Sequence, residues 1–306
     1  MARVQKTPRG RPSPRRPGRE RDRWLALARL RWQVQTGWFD ATLGFPGEGP
    51  RVGLTVATLN PTGLRGKGAR LRELMQYNAR GNWALMLQEH HLLPLDQAAE
   101  VEDWRHAGCV TVVGPVAPGH LGDRRRASGG TAVIGGRRWL VGPTRRTVQV
   151  PPEWAHRVTF AQLPAEDSPT GCEVMLASVY GWPGGASSPA SRALTDALLE
   201  WVLEQLQAGA GDWVLAGDVN CPAHMLQAIQ RRAEEGQLWS VGDLGRAAEE
   251  PTYQAPGVAT VIDGVWCSPA MRGAWKDSQV VSVAHHGHRA VAVTFEGTAP
   301  DRPPAS

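Results

Sequence analysis

The sequence predicts an α/β domain made of layered, mixed β-sheets, and three observations lead to this fold class. Short apolar segments with the length and β-branched content of strands outnumber the helical segments. Only some of the connections between them are long enough to hold a crossover helix, which a regular parallel sheet requires at each step. The chain has 306 residues, of which 42% are hydrophobic, and this composition supports a large core.

The individual strands and helices follow from the spacing of apolar residues. Strands are predicted at 52–59, 83–87, 109–113, 130–134, 158–163, 173–179, 213–216, 258–265, 280–283 and 290–295. Helices are predicted at 69–79, 191–207 and 225–235. The helix at 191–207 has the clearest signal, because apolar residues recur along one helical face at Leu194, Leu198, Trp201, Val202 and Leu206.

The two ends of the chain differ in composition from the body between them. Residues 1–32 contain eleven Lys or Arg and two Asp or Glu, a net charge of +9, so the total of +5 leaves the rest of the chain at −4. We predict that 1–50 form a basic, Arg- and Pro-rich extension and linker, largely disordered, and that 298–306 form a disordered tail. The extension could bind nucleic acid or an anionic membrane, serve as a targeting address, or be only a solvated tail. Within it, 24–39 could form an amphipathic helix docked on the body, or part of a transit peptide.

The sequence shows neither a membrane span nor a secretory signal. No apolar stretch approaches the roughly 18 residues that cross a bilayer. The four cysteines are far apart and form no metal-type pair: Cys109, Cys172, Cys221 and Cys267. We therefore expect reduced thiols in an intracellular protein, nuclear or cytoplasmic, with organelle targeting by the basic N-terminus left open.

Polar residues with the chemistry of phosphate hydrolysis follow several predicted strands. Asp218 and Asn220 come directly after the apolar segment 214–216 and, two residues apart in extended chain, point to the same face. A carboxylate can bind a metal or accept a proton from water, and a carboxamide can hydrogen-bond an anionic oxygen. The polar residues at the other strand ends are Asn60, Glu89, Tyr180, Asp263 and His288. Because loops converge at strand ends in layered sheets, we expect these residues to form one site.

The order of these residues resembles the endonuclease/exonuclease/phosphatase superfamily, which has the DNase I-like fold. Seven motifs in family order carry the resemblance over 51–297: Asn-x-x-Gly-Leu at 60–64, Gln-Glu at 88–89, Ser-Gly-Gly-Thr-Ala at 128–132, Val-Tyr at 179–180, Gly-Asp-x-Asn at 217–220, Pro-Thr-Tyr at 251–253 with Ile-Asp at 262–263, and His-Arg-x-Val at 288–291. The versions at 128–132 and 288–291 are closest in style to the endonuclease domains of non-LTR retroelements. The resemblance implies a four-layer sandwich, in which two mixed β-sheets pack face to face and are flanked by helices.

The resemblance also implies a metal site. Glu89 corresponds to the Gln-Glu carboxylate that binds a divalent metal in the family, and Asn60 would help to hold the ion. Mg²⁺ suits such a site, with Mn²⁺ as an alternative, because Mg²⁺ favours oxygen ligands and bridges to phosphate. The implied activity is metal-dependent hydrolysis of a phosphodiester in nucleic acid, with DNA as the preferred partner.

The remaining site residues correspond to the family's catalytic groups. Asp218 would orient or deprotonate the attacking water, and Asn220 would hydrogen-bond a phosphate oxygen. Tyr180 would contact the phosphate or the leaving group. His288 would stabilise the developing negative charge, while Asp263 would fix its ring through the other nitrogen.

Two positions depart from the family pattern, and both remove oxygen ligands from the expected metal site. Gly287 stands where the family's Ser-Asp-His motif carries its acidic residue, and Thr62 stands where many members have Asp or Asn. His286 or a water could fill the gap, which would leave a slower endonuclease with a partly degraded metal site. The chain could instead be a decayed nuclease copy or a catalytically inactive nucleic-acid-binding member. A phosphatase of small phosphoesters also fits the fold.

Overall fold

The computed structural model describes residues 51–64, 67–68, 71, 82–121, 124–136, 148–209, 211–242, 244–247, 250–281 and 287–298. The predicted basic extension at 1–50, most of the predicted helix at 69–79 and residues 299–306 lie outside these ranges. None of the helices within them is long and apolar enough to cross a membrane.

The described elements alternate between strands and a few helices. The strands are β1 (Arg51–Leu59), β2 (Asn82–Leu87), β3 (Val110–Val113), β4 (Ala117–Leu121), β5 (Arg124–Ser128), β6 (Ala132–Gly135), β7 (Val158–Leu163), β8 (Val174–Tyr180), β9 (Asp212–Asp218), β10 (Trp239–Ser240), β11 (Tyr253–Ala255), β12 (Val258–Thr260), β13 (Asp263–Cys267), β14 (Trp275–Val281) and β15 (Ala290–Thr298). The α-helices are α1 (Pro94–His106), α2 (Pro189–Gln207), α3 (Gln227–Glu234) and α4 (Pro269–Gly273).

Two mixed sheets form the body of the domain. A six-stranded sheet has the order β14-β15-β1-β2-β6-β3, and a five-stranded sheet has the order β10-β13-β9-β8-β7. The pairs β1–β2 and β8–β9 are parallel, and the other neighbours in both sheets are antiparallel. This architecture confirms the predicted class of mixed sheets flanked by helices.

Apolar side chains fill two layers, one on each side of the five-stranded sheet. The layer between the sheets includes Leu54, Met86, Leu176, Val214 and Phe295, all with 0% exposure. The layer between the five-stranded sheet and helix α2 includes Leu198, Val202 and Leu215. Strand β9 is buried along its whole length because both of its faces lie against apolar layers. Its C-terminal residue, Asp218, therefore emerges from the core itself.

A buried polar network joins the two sheets just below the strand ends. The Thr58 hydroxyl donates to the Gln88 side-chain oxygen at 3.2 Å, and the Gln88 amide donates to Ser178 Oγ at 3.0 Å. The Ser178 hydroxyl donates in turn to the Leu87 carbonyl at 3.0 Å. Because buried polar groups are costly unless they are hydrogen-bonded, this network fixes how the strands approach each other beneath the site.

The structure corrects several predicted elements. The strand predicted at 258–265 is two strands, because Thr252 Oγ1 accepts hydrogen bonds from the amides of Ile262 and Asp263 and turns the chain between β12 and β13. Helix α1 was not predicted, because its sequence shows no clear apolar face. In the structure, Trp104 is its only buried residue. The hairpin β4–β5 was also not predicted, and β15 continues to Thr298, where it pairs with Arg51.

Candidate active site

The predicted site residues gather at one edge of the sandwich. Asn60 and Glu89 follow strands β1 and β2 of the six-stranded sheet. Tyr180 and Asp218 are the last residues of strands β8 and β9 of the five-stranded sheet. The parallel register of β8 and β9 places Tyr180 opposite Asp218, while the antiparallel register of β13 places Asp263 on the other side of Asp218. The strand ends therefore bring together groups that lie far apart in sequence.

Asp218 is fully enclosed, with 1% exposure. Its Oδ2 accepts a hydrogen bond from Asn60 Nδ2 at 2.8 Å, and its Oδ1 accepts one from the Asn220 backbone amide at 2.9 Å. Asn60 is itself fixed, because its Oδ1 accepts from the Thr62 amide at 2.8 Å. The carboxylate is thus held in one orientation by residues from both sheets.

His288 lies between two buried carboxylates. Its Nδ1 donates to the Asp263 carboxylate, with distances of 3.3 and 3.2 Å to the two oxygens. Its Nε2 lies 3.7 Å from Asp218 Oδ2. We call Asp218, Asp263 and His288 the acid–base cluster. One ligand atom from each lies within 4.8 Å of the others, so the cluster also has the donor set of a metal site.

The pKa of each member of the acid–base cluster is raised, but the causes differ between the carboxylates and the imidazole. Burial, with the nearby Asp263 charge, raises the pKa of Asp218 to about 7. Burial likewise raises the pKa of Asp263. Burial opposes the charged form of His288, but the hydrogen bond and charge of Asp263, with the charge of Asp218, raise its pKa overall. The pKa of Asp218, raised to about 7, places its titration near neutral pH, the range in which general acid–base chemistry works best.

Glu89 follows β2 in a loop that we call the Glu89 loop, residues 88–92. The Glu89 carbonyl accepts a hydrogen bond from the Gly63 amide at 2.8 Å. The amide of the next residue, His90, donates to the Gly130 carbonyl at 3.2 Å. Gly130 has φ +88°, and a side chain there would collide with the His90 ring. The Ser-Gly-Gly motif thus shapes the loop, and β6 begins only at Ala132, two residues later than predicted.

Tyr180 supports Glu89 directly. Its hydroxyl donates a hydrogen bond to Glu89 Oε1, and its ring is buried. Burial and the Glu89 charge raise the pKa of Tyr180 above its usual value, so the hydroxyl stays protonated and acts as a donor. The structure places this hydroxyl against a carboxylate, while its contact with a phosphate or leaving group stays a prediction.

Backbone strain is concentrated at the site. Within the described ranges, the non-glycine residues with positive φ are Thr62, Glu89, His91 and Asn220, with values from 49° to 54°. All four lie in the loops that carry or flank the site. Such conformations cost free energy and persist where the surrounding structure enforces them, often at functional sites.

Tyr253 occupies the space beside Gly287. Its ring centroid lies 4.9 Å from that of His288, and the two residues form an antiparallel bridge. Gly287 has φ +88°, and a Cβ there would lie 2.8 Å from the Tyr253 ring. A side chain at this position would therefore strain the backbone and displace the tyrosine. His285 and His286 lie outside the described residues.

Three residues around the site were not predicted from the sequence. His91 follows the Gln-Glu motif, and its amide donates to Gly129 O at 3.2 Å. Tyr253 belongs to a motif that contributed to the resemblance, but no role was assigned to it. Arg157 lies over the rings of Tyr180 and Trp182, and no motif marks it. The sequence indicates no role for Arg157; it shows only that the residue directly precedes β7.

Comparison with known proteins supports the fold through structure alone. No protein-family model matches the sequence, and no curated protein is detectably similar to it. The 3′ phosphatase NExo from Neisseria, solved with a product DNA hairpin, is 19% identical with a TM-score of 0.57, over 79% of this chain and 98% of that one. An AP endonuclease from Archaeoglobus fulgidus is 16% identical with a TM-score of 0.55, over 79% and 99%.

The endonuclease domain of TRAS1, a telomere-specific non-LTR retrotransposon, is also similar in structure. It is 16% identical with a TM-score of 0.51, over 81% of this chain and 100% of that one. At these identities the likeness establishes the fold, and it confirms that the chain has the DNase I-like architecture of endonuclease/exonuclease/phosphatase structures.

Proposed function

We propose that this protein is a divalent-metal-dependent phosphodiester hydrolase that acts on nucleic acid. The observation that carries the proposal is the joining of the acid–base cluster to Asn60 and Asn220, with the Glu89 carboxylate at the same edge of the sandwich. The shared fold supports it, because the similar structures are described as nucleases and a phosphatase. A hydrolase is the activity class that these groups serve best.

The acid–base cluster would supply the proton transfers. Asp218 accepts a proton from the attacking water, since its carboxylate is fixed and its pKa of about 7 suits a general base near neutral pH. His288, whose pKa is raised by its two carboxylate neighbours, stabilises negative charge on the phosphate in its protonated form. Asp263 holds the imidazole through Nδ1, so that Nε2 faces Asp218 and the reaction.

The metal would be held on the Glu89 side of the site. Glu89 and Asn60 offer oxygen ligands, the type that Mg²⁺ and Mn²⁺ prefer, and the buried Asp218 carboxylate is hydrogen-bonded to Asn60. When bound, the ion would neutralise charge on the phosphate and its leaving oxygen. The Asn220 side chain would orient the phosphate. The residue is held in place by the hydrogen bond from its backbone amide to the Asp218 carboxylate.

The finer assignment is an endonuclease of retroelement type acting on DNA. It rests on the motif style at 128–132 and 288–291, and the basic segment at 1–32 would add sequence-independent attraction to phosphates. The Gly287 position and the Tyr253 ring beside it are consistent with a weaker metal site than the resemblance implies.

The test is a nicking assay with the full-length chain on supercoiled DNA, with Mg²⁺ or Mn²⁺ and with EDTA. We expect metal-dependent nicking that EDTA abolishes and that Asp218→Asn removes. Single-stranded DNA, RNA and small phosphoesters run in parallel define the substrate class. Cleavage of small phosphoesters alone would instead support a phosphatase. Binding of nucleic acid by the folded protein with no metal-dependent cleavage would support the inactive alternative and overturn the proposal.

A further inference from the structure

Arg157 is a buried cation beside the candidate active site with no role in the chemistry described above. It is 8% exposed, and its guanidinium lies 4.7 Å from the centre of the Tyr180 ring and 4.5 Å from that of Trp182. Its charge interacts with those of Glu89 and Asp218. A buried charge is costly unless it is well paired, so the presence of a buried guanidinium here calls for an explanation.

Three hydrogen bonds of Arg157 reach one short segment, residues 180–181. Its Nη1 donates to the Gly181 carbonyl at 2.8 Å and, at 3.5 Å, to the Tyr180 carbonyl. Its Nε donates to the ring of His156 at 3.2 Å, and the Arg157 carbonyl accepts from the Tyr180 amide at 2.8 Å. Side chain and backbone of one residue therefore fix the same segment.

The segment 180–181 connects the two sides of the site. The Tyr180 hydroxyl holds the Glu89 carboxylate. The Gly181 carbonyl accepts from Asn220 Nδ2 at 3.3 Å, and the Gly181 amide donates to the Asp218 carbonyl at 2.8 Å. A shift of this segment would consequently move the Glu89 carboxylate, which is proposed to bind the metal, together with the Asn220 side-chain amide, which is proposed to orient the phosphate.

We propose that Arg157 is a positioning residue that sets the geometry between the Glu89 carboxylate and the Asp218–Asn220 pair by fixing residues 180–181. The inference rests on the proposed function, since it assigns Glu89 to the metal. Arginine suits the position because its planar guanidinium can lie over two rings while it donates to two carbonyls. Lysine could donate to Gly181, but its ammonium group has no planar face to lie over the rings.

The first experiment measures Mn²⁺ affinity by calorimetry in the absence of nucleic acid, together with kcat and KM for nicking. We expect Arg157→Met to weaken Mn²⁺ binding about 10-fold and to lower kcat about 10–100-fold, the range for residues that support metal ligands, with little change in KM. Arg157→Lys should recover part of both losses.

Arg272 offers a matched control at the opposite end of β13 from Asp263. It too lies over two rings, 5.5 Å from Trp239 and 5.0 Å from Trp275. Arg272→Met should leave Mn²⁺ affinity and kcat unchanged. Unchanged Mn²⁺ affinity in Arg157→Met, with a raised KM and a shallower salt dependence, would identify Arg157 as a phosphate contact and overturn the positioning role.

A second measurement separates failure of this inference from failure of the proposed function. The chain has three tyrosines, so ring-labelled tyrosine gives three sets of NMR signals, and Tyr180→Phe assigns one of them. If the wild-type protein binds no Mn²⁺, the proposed function fails, but Arg157→Met should still shift and broaden the Tyr180 signals, whereas Arg272→Met should not. Unaltered Tyr180 signals in folded Arg157→Met would refute the role of Arg157.

Discussion

The two sides of the candidate active site differ in burial and in how their side chains are held. The acid–base cluster is buried, and each of its members touches another member. The Glu89 side chain is half-buried in a strained loop and takes a hydrogen bond from Tyr180. Both departures from the resemblance, Thr62 and Gly287, stand where the resemblance implies oxygen ligands for the metal site that includes Glu89.

This difference suggests that the two sides respond differently to change. Removal of one partner from a buried network leaves the others unpaired, so substitutions in the acid–base cluster should act through the chemistry and should not be rescued by more metal. Substitutions at the half-exposed carboxylate should act through metal affinity, which excess metal can offset.

The largest effect is expected for Asp218→Asn. This variant keeps the shape of the side chain but removes the proposed general base, so the single-turnover nicking rate should fall about 10²–10⁴-fold at every metal concentration. Asp212→Asn, at the start of the same strand, is the matched control, because Asp212 accepts a hydrogen bond from Ser268 at 2.8 Å far from the site. If excess Mn²⁺ restored the nicking rate of Asp218→Asn, the two sides of the site would not differ in their response to metal.

A smaller effect is expected for Glu89→Gln. The metal concentration for half-maximal activity should rise about 10–100-fold, while the rate at saturating metal should fall less, because a neutral amide is a weaker ligand than a carboxylate. Titration of nicking activity with Mn²⁺ measures both quantities. Glu173→Gln, an exposed carboxylate just before β8, should behave as wild type. A rate loss at Glu89→Gln that metal cannot offset would place Glu89 within the chemistry itself.

Gly287→Asp should not raise the nicking rate. The residue would adopt φ near +88° and place its Cβ 2.8 Å from the Tyr253 ring, so the free energy of unfolding should fall by about 1–3 kcal/mol. Denaturant unfolding measures the change in stability, and the nicking assay measures the change in activity. Gly257→Asp is the control for strain alone, since Gly257 has φ +76° with nothing within 4 Å of a Cβ.

The double variant Gly287→Asp with Tyr253→Ala relieves the contact with the ring. A gain in activity in the double variant alone would show that the tyrosine blocks a functional acidic ligand. A large gain in the single variant would contradict the structural argument and indicate a site limited only by the missing carboxylate.

The smallest effect is on stability as a function of pH. Asp218, Asp263 and His288 all have raised pKa values in the folded chain, so the folded state binds more protons than the unfolded state. The free energy of unfolding of the EDTA-treated protein should therefore fall as pH rises from about 4 through 7. Calorimetry should show that Tm falls as the pH rises across this range, by about 2–4 °C for each kcal/mol of unfolding free energy that is lost.

Asp218→Asn should flatten this dependence, because it removes one of the three groups. A Tm that instead rises steadily with pH would indicate that the cluster is already deprotonated in the folded state. That result would weaken the role of Asp218 as a base near neutral pH.

Much of the fold and the membership of the site follow from the sequence. Apolar periodicity located most strands to within a few residues, and the two-residue spacing of Asp218 and Asn220 placed them together after a buried strand. The order of polar residues at strand ends then indicated which loops would meet. These features are local, and a strand's alternation or a helix's repeat is readable in a single window of sequence.

The tertiary structure alone decided which side chains pair. Asn60 and Asp218 are 158 positions apart, and Tyr180 and Glu89 are 91 apart, so their contacts depend on sheet register and not on local pattern. The same holds for the ring of Tyr253 beside Gly287 and for Arg157 behind residues 180–181. Packing between distant strands fixes these distances, and an amino-acid sequence read in one dimension carries the chemistry of each group but not the space between them.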